Sequence, residues 1–463
     1  MEDGRQPRRQ GTVVRALLGT SATFALLIGA FSAYGMVKYV GARGVGVSRD
    51  PFEDAQSAAV GPCAKNVCNY LLLGSDSRKG LTPEEQVQFG TDEHNGGTSR
   101  ADTIMLVHID PRQEKAVVLS FPRDLWVQIP GRGWDKINTS FEGGIEGGGP
   151  LRVAKTIHKL TGLTVNHFLY VDLRGFQKVV DTLGGVDMCV PFAVQDPLSA
   201  LDLKAGCQRL DGQQALAYVR TRHLPCDESA PDLHRIARQQ QFLRAVINRM
   251  LRPQELVRLP GLIDPVLGNL KRDPGLPVAD LAYLVGQLRG VSTGAVDFRA
   301  VPGVPDLVLP SWSSSEISIL RLDPAARSIF GALRDGRPLP ATGTELVNTP
   351  PSPANIVTAV LDASSGSAAG QVEHVLSISG FDIAPGIVPF RAGDGTPGKE
   401  TTIVYTSGHE EEAQVVGQFL PGVPLRQVEH GSSWDVAVVV TPGYRPQPLG
   451  GGSEQPSCVS PAA

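Results

Sequence analysis

Three kinds of apolar run alternate along the chain. The first is unbroken. From Val13 to Val40 the sequence reads VVRALLGTSATFALLIGAFSAYGMVKYV, and it carries no charge between Ala16 and Met36. An apolar helix of that length crosses a hydrocarbon core of ~30 Å. Ala30-Phe31-Ser32 imitates the exit of a cleavable signal, but the apolar run continues past it, so the pattern predicts an uncleaved anchor. Arg5, Arg8, Arg9 and Arg15 lead into it and predict a cytoplasmic N-terminus.

The second kind is short, bounded and rich in branched residues, the mark of buried strands. Such runs fall at Asn69–Gly74 (NYLLLG), Ile104–Asp110, Lys115–Ser120, His167–Val171, Val186–Val190, Val296–Val301 and Ile317–Leu322. Asp110-Pro111-Arg112 joins the second and third as a hairpin. The third kind has helical period. It predicts helices over Leu151–Leu163, Leu173–Leu183, Gly212–Val219, 233–251, Leu256–Leu270, Val278–Leu288 and Pro324–Leu333. His167 to Val190 therefore reads as β-α-β, whereas Gly131–Asn138 reads as a loop. Beyond a Pro- and Thr-rich stretch a second unit follows. It has strands at Ile356–Leu361, Thr401–Tyr405 and Val436–Val440 and helices at Ala368–Ile378 and His409–Phe419.

These boundaries predict a cytoplasmic tail (1–12), an anchor (13–40), a stalk (41–65), a main domain (66–335), a linker (336–354), a small α/β domain (355–445) and a disordered tail (446–463). The 463 residues are too many for one ordinary domain. Net charge is −4, so a non-specific nucleic-acid binder is not expected and any anion site must be local. Six cysteines bear on the compartment. No CxxC pair supports zinc, and an oxidising exterior permits disulfides. Cys189–Cys207 is the first expected pair and Cys63–Cys68 the second; Cys226 reads as a free thiol.

Candidate chemistry gathers around the helix 233–251. Asp232, Arg235 and Gln239 make one polar stripe, backed by Ile236, Leu243, Val246, Ile247 and Met250. Just upstream, Arg220 and Arg222 sit two apart, so in an extended segment both point the same way. NYLLLG releases Asp76 at its C-terminal end, where open α/β sheets place their sites. Arg100-Ala101-Asp102 precedes one strand and Pro122-Arg123-Asp124 follows its antiparallel neighbour, so both are expected at one sheet edge. Guanidinium forks suit phosphate oxygens. Asp76 and Asp102 suit a hard dication such as Mg²⁺ (or Mn²⁺) that bridges phosphates. Arginines and a dication around a pyrophosphate are equipment for phosphoryl transfer. No Walker motif, GxSxG or HExxH supports nucleotide hydrolysis, serine hydrolysis or zinc proteolysis.

The motifs LLLGSDSR, SRADTIMLVHID, LSFPRDLWVQIPGRG, KIN, LTGLTVNHFLYVDLRGFQKVVDTLGGVDMCV, LDGQQALAYVRTRH and DLHRIARQQQFL occur in this order. Across about 66–335 the sequence resembles the LytR–CpsA–Psr proteins of bacterial cell envelopes. Residues 355–445 resemble the C-terminal domain attached to actinobacterial members, with Asp362-Ala363-Ser364-Ser365 in place of that domain's Asn-Gly turn. The resemblance implies an α/β fold: a three-layer α-β-α domain with a central mixed sheet, after one transmembrane helix and before a small α/β domain. It implies a single-pass membrane enzyme with its catalytic domain outside the cytoplasm. Such an enzyme moves a glycopolymer from a polyprenyl-pyrophosphate carrier onto peptidoglycan, with polyprenyl phosphate leaving. Carried over, Asp76 and Asp102 match the metal carboxylates. Arg100, Arg123, Arg220 and Arg222 match the pyrophosphate-binding arginines. Arg235 and Gln239 match the polar stripe of the site helix, with Asp232 orienting Arg235. An insert at 79–98 between the two metal aspartates departs from the pattern. For the lipid, helices 151–163, 173–183 and 233–251 with strand 167–171 are the candidate channel walls. Two other readings stay open: a pyrophosphatase with water as acceptor, and a non-catalytic envelope binding or regulatory protein.

Overall fold

The computed structural model describes residues 60–63, 67–76, 82–83, 100–110, 116–144, 148–222, 224, 231–250, 266, 269–273, 275–276, 296–340, 353–364, 368–384, 388–389, 400–429, 434, 436–447 and 449. The anchor 13–40, most of the stalk, nearly all of the insert 79–98, helix 278–288 and most of helix 256–270, most of the linker and tail, and Cys226 and Cys458 lie outside these residues. Among the described residues no helix is long and apolar enough to cross a membrane.

In chain order the first unit runs β1 (Cys68–Ser75), β2 (Thr103–Ile109), β3 (Ala116–Ser120), β4 (Trp126–Ile129), β5 (Gly133–Lys136), α1 (Gly149–Thr161), β6 (His167–Asp172), α2 (Leu173–Thr182) and β7 (Val186–Val190). It continues β8 (Val194–Asp196), β9 (Leu201–Leu203), β10 (Gly206–Leu210), α3 (Gly212–Arg220), α4 (Pro231–Met250), β11 (Lys271–Arg272), β12 (Val296–Ala300), β13 (Gly303–Val308), β14 (Ile317–Leu322) and α5 (Ala326–Asp335). The main sheet is mixed, in the order β11-β6-β1-β2-β3-β12. β1 is parallel to β6 and antiparallel to β2. The β2–β3 hairpin is antiparallel, and β12 joins β3 in parallel.

NYLLLG is a continuous apolar run because both faces of β1 are covered. Leu71 and Leu73 enter a core with Phe141, Val153, Ile157 and Phe168. Leu72, pointing the other way, packs beside Met105, Leu243 and Ile247. Helix α1 thus covers one face and α4 the other. The antiparallel register Gly74↔Thr103 brings the end of β1 and the start of β2 to one sheet edge. β3, antiparallel to β2, ends there too, and so does β6 through Ser75↔Asp172. Gly74 suits the crossing of β1 and β2, since a Cβ on it would stand 3.0 Å from that of Thr103.

The structure corrects two local expectations. β7 does not return to the main sheet after α2. Gly184 and Gly185, both at positive φ (74° and 83°), turn the chain away, and β7 pairs antiparallel with β10. Cys189 and Cys207 face each other in that ribbon and form a disulfide, as do Cys63 and Cys68. Gly131–Asn138 is not simply a loop. β5 lies within it and pairs with β4, whose Trp126, Val127 and Ile129 are buried.

The second unit carries its own sheet. Strands β15 (Val357–Asp362), β16 (Asp382–Ile383), β17 (Val388–Pro389), β18 (Thr402–Tyr405), β19 (Leu425–Gln427) and β20 (Val436–Val440) pack with helices α6 (Ala368–Ile378) and α7 (Glu410–Phe419). The order is β16-β15-β20-β18-β19, with β17 also on β15. Val360, Val372, Phe381, Val416 and Val438 fill its core.

Candidate active site

The shared sheet edge opens into a cavity of about 880 Å³. At one end it is lined by Asp76, Arg100, Asp102, Arg123, Arg220, Arg222, Arg235 and Gln239. Sheet register explains the first four, because β1, β2 and β3 all reach this edge. Helix α3 delivers Arg220 as its last residue, after a capping box in which Asp211 accepts from Gln214 N and the Gln214 side chain accepts in return. Arg220 therefore reaches the cavity from a helix end and Arg222 from the segment just after it, with Thr221 between them extended (φ −58°, ψ 145°).

Asp232 stands behind the cavity and ties three arginines together. Its Oδ1 lies 3.3 Å from Arg123 Nε, 3.6 Å from Arg222 Nη1 and 3.3 Å from Arg235 Nη2. Asp232 thus orients more than Arg235. Arg123 Nη1 also donates to Asp102 Oδ1 at 3.1 Å. Arg220 Nε sits 3.5 Å from Asp76 Oδ1. Arg235 donates to the Asp102 carbonyl at 3.3 Å, and Gln239 to the Val219 carbonyl at 3.3 Å. Arg100 pairs with Glu142 at 3.5 Å and is half exposed at the rim.

These contacts shift the ionisation of the groups involved. Burial resists the charge on Asp232, but Arg235, Arg123 and Arg222 hold its carboxyl down at about 2. Burial also opposes the charge on Arg123, yet Asp232, Asp124 and Asp102 hold it above its usual value. Arg235 moves the other way, because burial outweighs its aspartate partners. The Asp102 carboxyl is pushed up, first by burial and then by the charge of Asp76, against the pull of Arg235 and Arg123. Asp76 and Asp102 thus act on each other as like charges, which a cation between them relieves. Among the described residues no three His, Cys, Asp or Glu side chains gather to hold a metal by themselves. Two carboxylates still fit Mg²⁺, which keeps waters and takes substrate phosphate oxygens as further ligands.

The rest of the lining is mostly apolar, with Asp172, Asp196 and Ser199 among its polar members. Leu169 and Val171 of β6, Phe176 of α2, and Phe242 and Leu243 of α4 line it. Three of the four candidate channel walls are in place. Helix α1 is not one of them: Val153, Ala154 and Ile157 are spent in the core on the opposite face of the sheet.

Sequence reasoning missed the clamp on the Arg-x-Arg pair. Thr221, fully buried between Arg220 and Arg222, donates its hydroxyl to Asp196 at the end of β8. Its carbonyl accepts from Arg238 Nη2 at 2.6 Å. Asp196 and Arg238 are 25 and 17 residues from Thr221, so no local pattern reveals the clamp. Tyr170 and Asn138, which also line the cavity, were missed as well. Burial and the charge of Asp172 push the Tyr170 hydroxyl up to about 12, so it stays a neutral donor.

The model of the LytR_cpsA_psr family matches residues 34–324. The "probable cell wall biosynthesis protein LcpB" of Corynebacterium glutamicum is 39% identical over 225 residues, 48% of this chain and 52% of that protein. The "polyisoprenyl-teichoic acid–peptidoglycan teichoic acid transferase TagU" of Oceanobacillus iheyensis is 36% identical over 182 residues, 39% of this chain and 55% of that protein. Each match spans about half of the relative's own length. Among solved structures, TagV of B. subtilis aligns with a TM-score of 0.46 at 22% identity, covering 59% of this chain and 96% of that one. Because the family model takes in more than half of the sequence, including every arginine and aspartate of the cavity, the chain belongs to the LytR_cpsA_psr family.

Proposed function

We propose that the protein is a phosphotransferase. It moves a glycopolymer from a polyprenyl-pyrophosphate carrier onto peptidoglycan and releases polyprenyl phosphate. One observation carries this reading: a single cavity gathers five arginines with Asp76 and Asp102 and has a mostly apolar lining along the rest. A polyprenyl pyrophosphate has that same division, with charge at one end and hydrocarbon behind it. The name of the O. iheyensis relative supports the same class of reaction, and that of the C. glutamicum relative the same process of cell wall biosynthesis.

In this reading Arg123 and Arg220 grip the pyrophosphate from two sides, with Arg222 and Arg235 completing the ring. Asp232, fixed as an anion, keeps Arg123, Arg222 and Arg235 apart and aimed inward. An acceptor hydroxyl attacks the sugar-side phosphorus and forms a new P–O bond to the acceptor. The bond from that phosphorus to the bridging oxygen breaks, and the oxygen leaves with the lipid-side phosphate. The acceptor proton passes to solvent or to a base. The charge that builds on the phosphate oxygens meets fixed guanidinium donors, each worth about 3–4 kcal/mol at the transition state. Asp76 and Asp102 would hold Mg²⁺ or Mn²⁺, whose contribution when bound is neutralisation of phosphate charge. The aliphatic chain lies along Leu169, Phe176 and Phe242.

We further infer the arrangement around this site. The run 13–40 is a single transmembrane anchor with a cytoplasmic N-terminus, and the site lies outside the cytoplasm, where the two disulfides are stable. The first unit is the three-layer α-β-α domain, and the second is a LytR-type C-terminal domain. The test is incubation with a polyprenyl-pyrophosphate-linked sugar, with and without peptidoglycan fragments. Sugar phosphate joined to the glycan, formed only when glycan is present, is the expected result. Release of sugar phosphate at the same rate without acceptor makes the protein a pyrophosphatase instead.

A further inference from the structure

Helix α4 has two working faces. Arg235, Gln239, Phe242 and Leu243 look into the cavity. At 3.6 residues per turn, Gln241, Arg244 and Asn248 fall on the opposite side. That side is gripped by the second unit. Asn248 Nδ2 donates to the Ser377 carbonyl at 3.1 Å, at the end of α6. Arg244 donates to the carbonyls of Ala354 and, on β12, Val296, and lies 3.4 Å from Asp382 on β16. Both members of that ion pair are buried, and the Arg244 guanidinium stacks over Phe298 at 4.6 Å. Gly380 fits against the helix at a positive φ of 86°, and a Cβ there would stand 2.7 Å from the Gln241 carbonyl.

Gln241 does more than join the two units. Its Nε2 donates to the Ser379 carbonyl at 2.7 Å, which fixes the amide orientation and leaves Oε1 to accept. Oε1 accepts from the Tyr218 hydroxyl at 2.7 Å. Tyr218 lies on α3, two residues before Arg220. All three groups are buried. One amide therefore ties the backbone of the second unit to both helices that carry cavity arginines.

We propose that Gln241 is a positioning residue through which the second unit, by way of Ser379 and Tyr218, sets Arg220 on α3 against Arg235 and Gln239 on α4. The second unit then serves the reaction without touching the substrate. Its contribution is the spacing of the anion-binding groups, which must meet pyrophosphate oxygens in fixed directions. This rests on the pyrophosphate reading above and names the element that shapes that site.

The test is binding of inorganic pyrophosphate, with Mg²⁺, to the full chain in detergent, measured by calorimetry. The variants are Gln241→Met and Tyr218→Phe, which keep volume but remove the bonds, and Gly380→Ala, which presses on Gln241 from the second unit. Asn248→Ala is the control: it removes a bond of the same interface that has no link to α3. Loss of buried hydrogen bonds that couple two elements is expected to weaken binding by about fivefold in the first three variants. Asn248→Ala is expected to stay within about twofold of the parent. Parent-like affinity in folded Gln241→Met and Tyr218→Phe overturns the proposal. So does an equal loss in Asn248→Ala, which would make the interface a general structural support. A parent chain that binds no pyrophosphate overturns the functional reading itself, and the proposal with it.

Discussion

Among the described residues the chain forms two α/β units, each around a six-stranded sheet, and there only the first gathers charge at its strand ends. In the first unit Asp76, Asp102 and Arg123 all reach one sheet edge and turn into a cavity. In the second, the comparable carboxylate is Asp362, at the end of β15. It is used up locally, accepting from the Ser364 amide at 2.7 Å and the Ser364 hydroxyl at 2.6 Å. The buried acid of the second unit, Asp382, points at Arg244 across the interface rather than into a pocket. Architecture alone therefore does not make the site. It needs strand ends whose charged side chains are left unspent by their own turns, and a facing helix whose arginines are held apart by a buried anion.

Breaking the charged end of the first unit should have the largest effect. Arg220→Ala is expected to lower the initial rate of glycopolymer transfer by about 10²–10³-fold, the cost of one fixed donor at a charged transition state. Loss of only a few-fold would mean that Arg220 merely borders the site. Trimming the apolar end should cost less. Phe176→Ala is expected to weaken long-chain prenyl pyrophosphates by about tenfold while leaving inorganic pyrophosphate within twofold. Equal effects on both ligands would remove the lipid from this part of the cavity.

Damage to the second unit should be smaller again at the site, though large for that unit. Phe381→Ala empties a fully buried position and should destabilise the unit by about 3–5 kcal/mol. Pyrophosphate affinity of the full chain should fall by about fivefold and not be abolished. Complete loss would place a substrate contact in the second unit. The smallest effect is on acid stability. Asp232 is held at about 2, below the ordinary 3.8, so its charged form favours the folded state. That contribution is complete above 3.8 and drains away as pH falls through about 2. Stability of the parent chain should therefore fall more steeply over that range than stability of Asp232→Asn, as followed by urea unfolding.

The site was more legible in the sequence than the fold around it. Its arginines and aspartates stand directly beside apolar strands or on a helical stripe, so local spacing marks them. Asp76 reaches the cavity although the insert at 79–98 separates it in sequence from Asp102. The Asp196–Thr221–Arg238 clamp and the Tyr218–Gln241–Ser379 link were invisible, because each joins residues distant in sequence. β7 was misplaced for a related reason. Its apolar pattern fits a main-sheet strand equally well, and only the two-glycine turn and its pairing with β10 direct it elsewhere. The β4–β5 hairpin escaped because β5 itself, Gly133–Lys136, carries almost no apolar signal.

The central claim is that one cavity receives both the pyrophosphate and the hydrocarbon of a membrane-borne donor. A crystal structure with farnesyl pyrophosphate tests it most directly. The account predicts phosphate oxygens within hydrogen-bond reach of Arg123 and Arg220 and an isoprenoid chain in contact with Leu169, Phe176 and Phe242. Pyrophosphate bound away from these arginines, or a chain leaving into solvent with the apolar lining untouched, would contradict it.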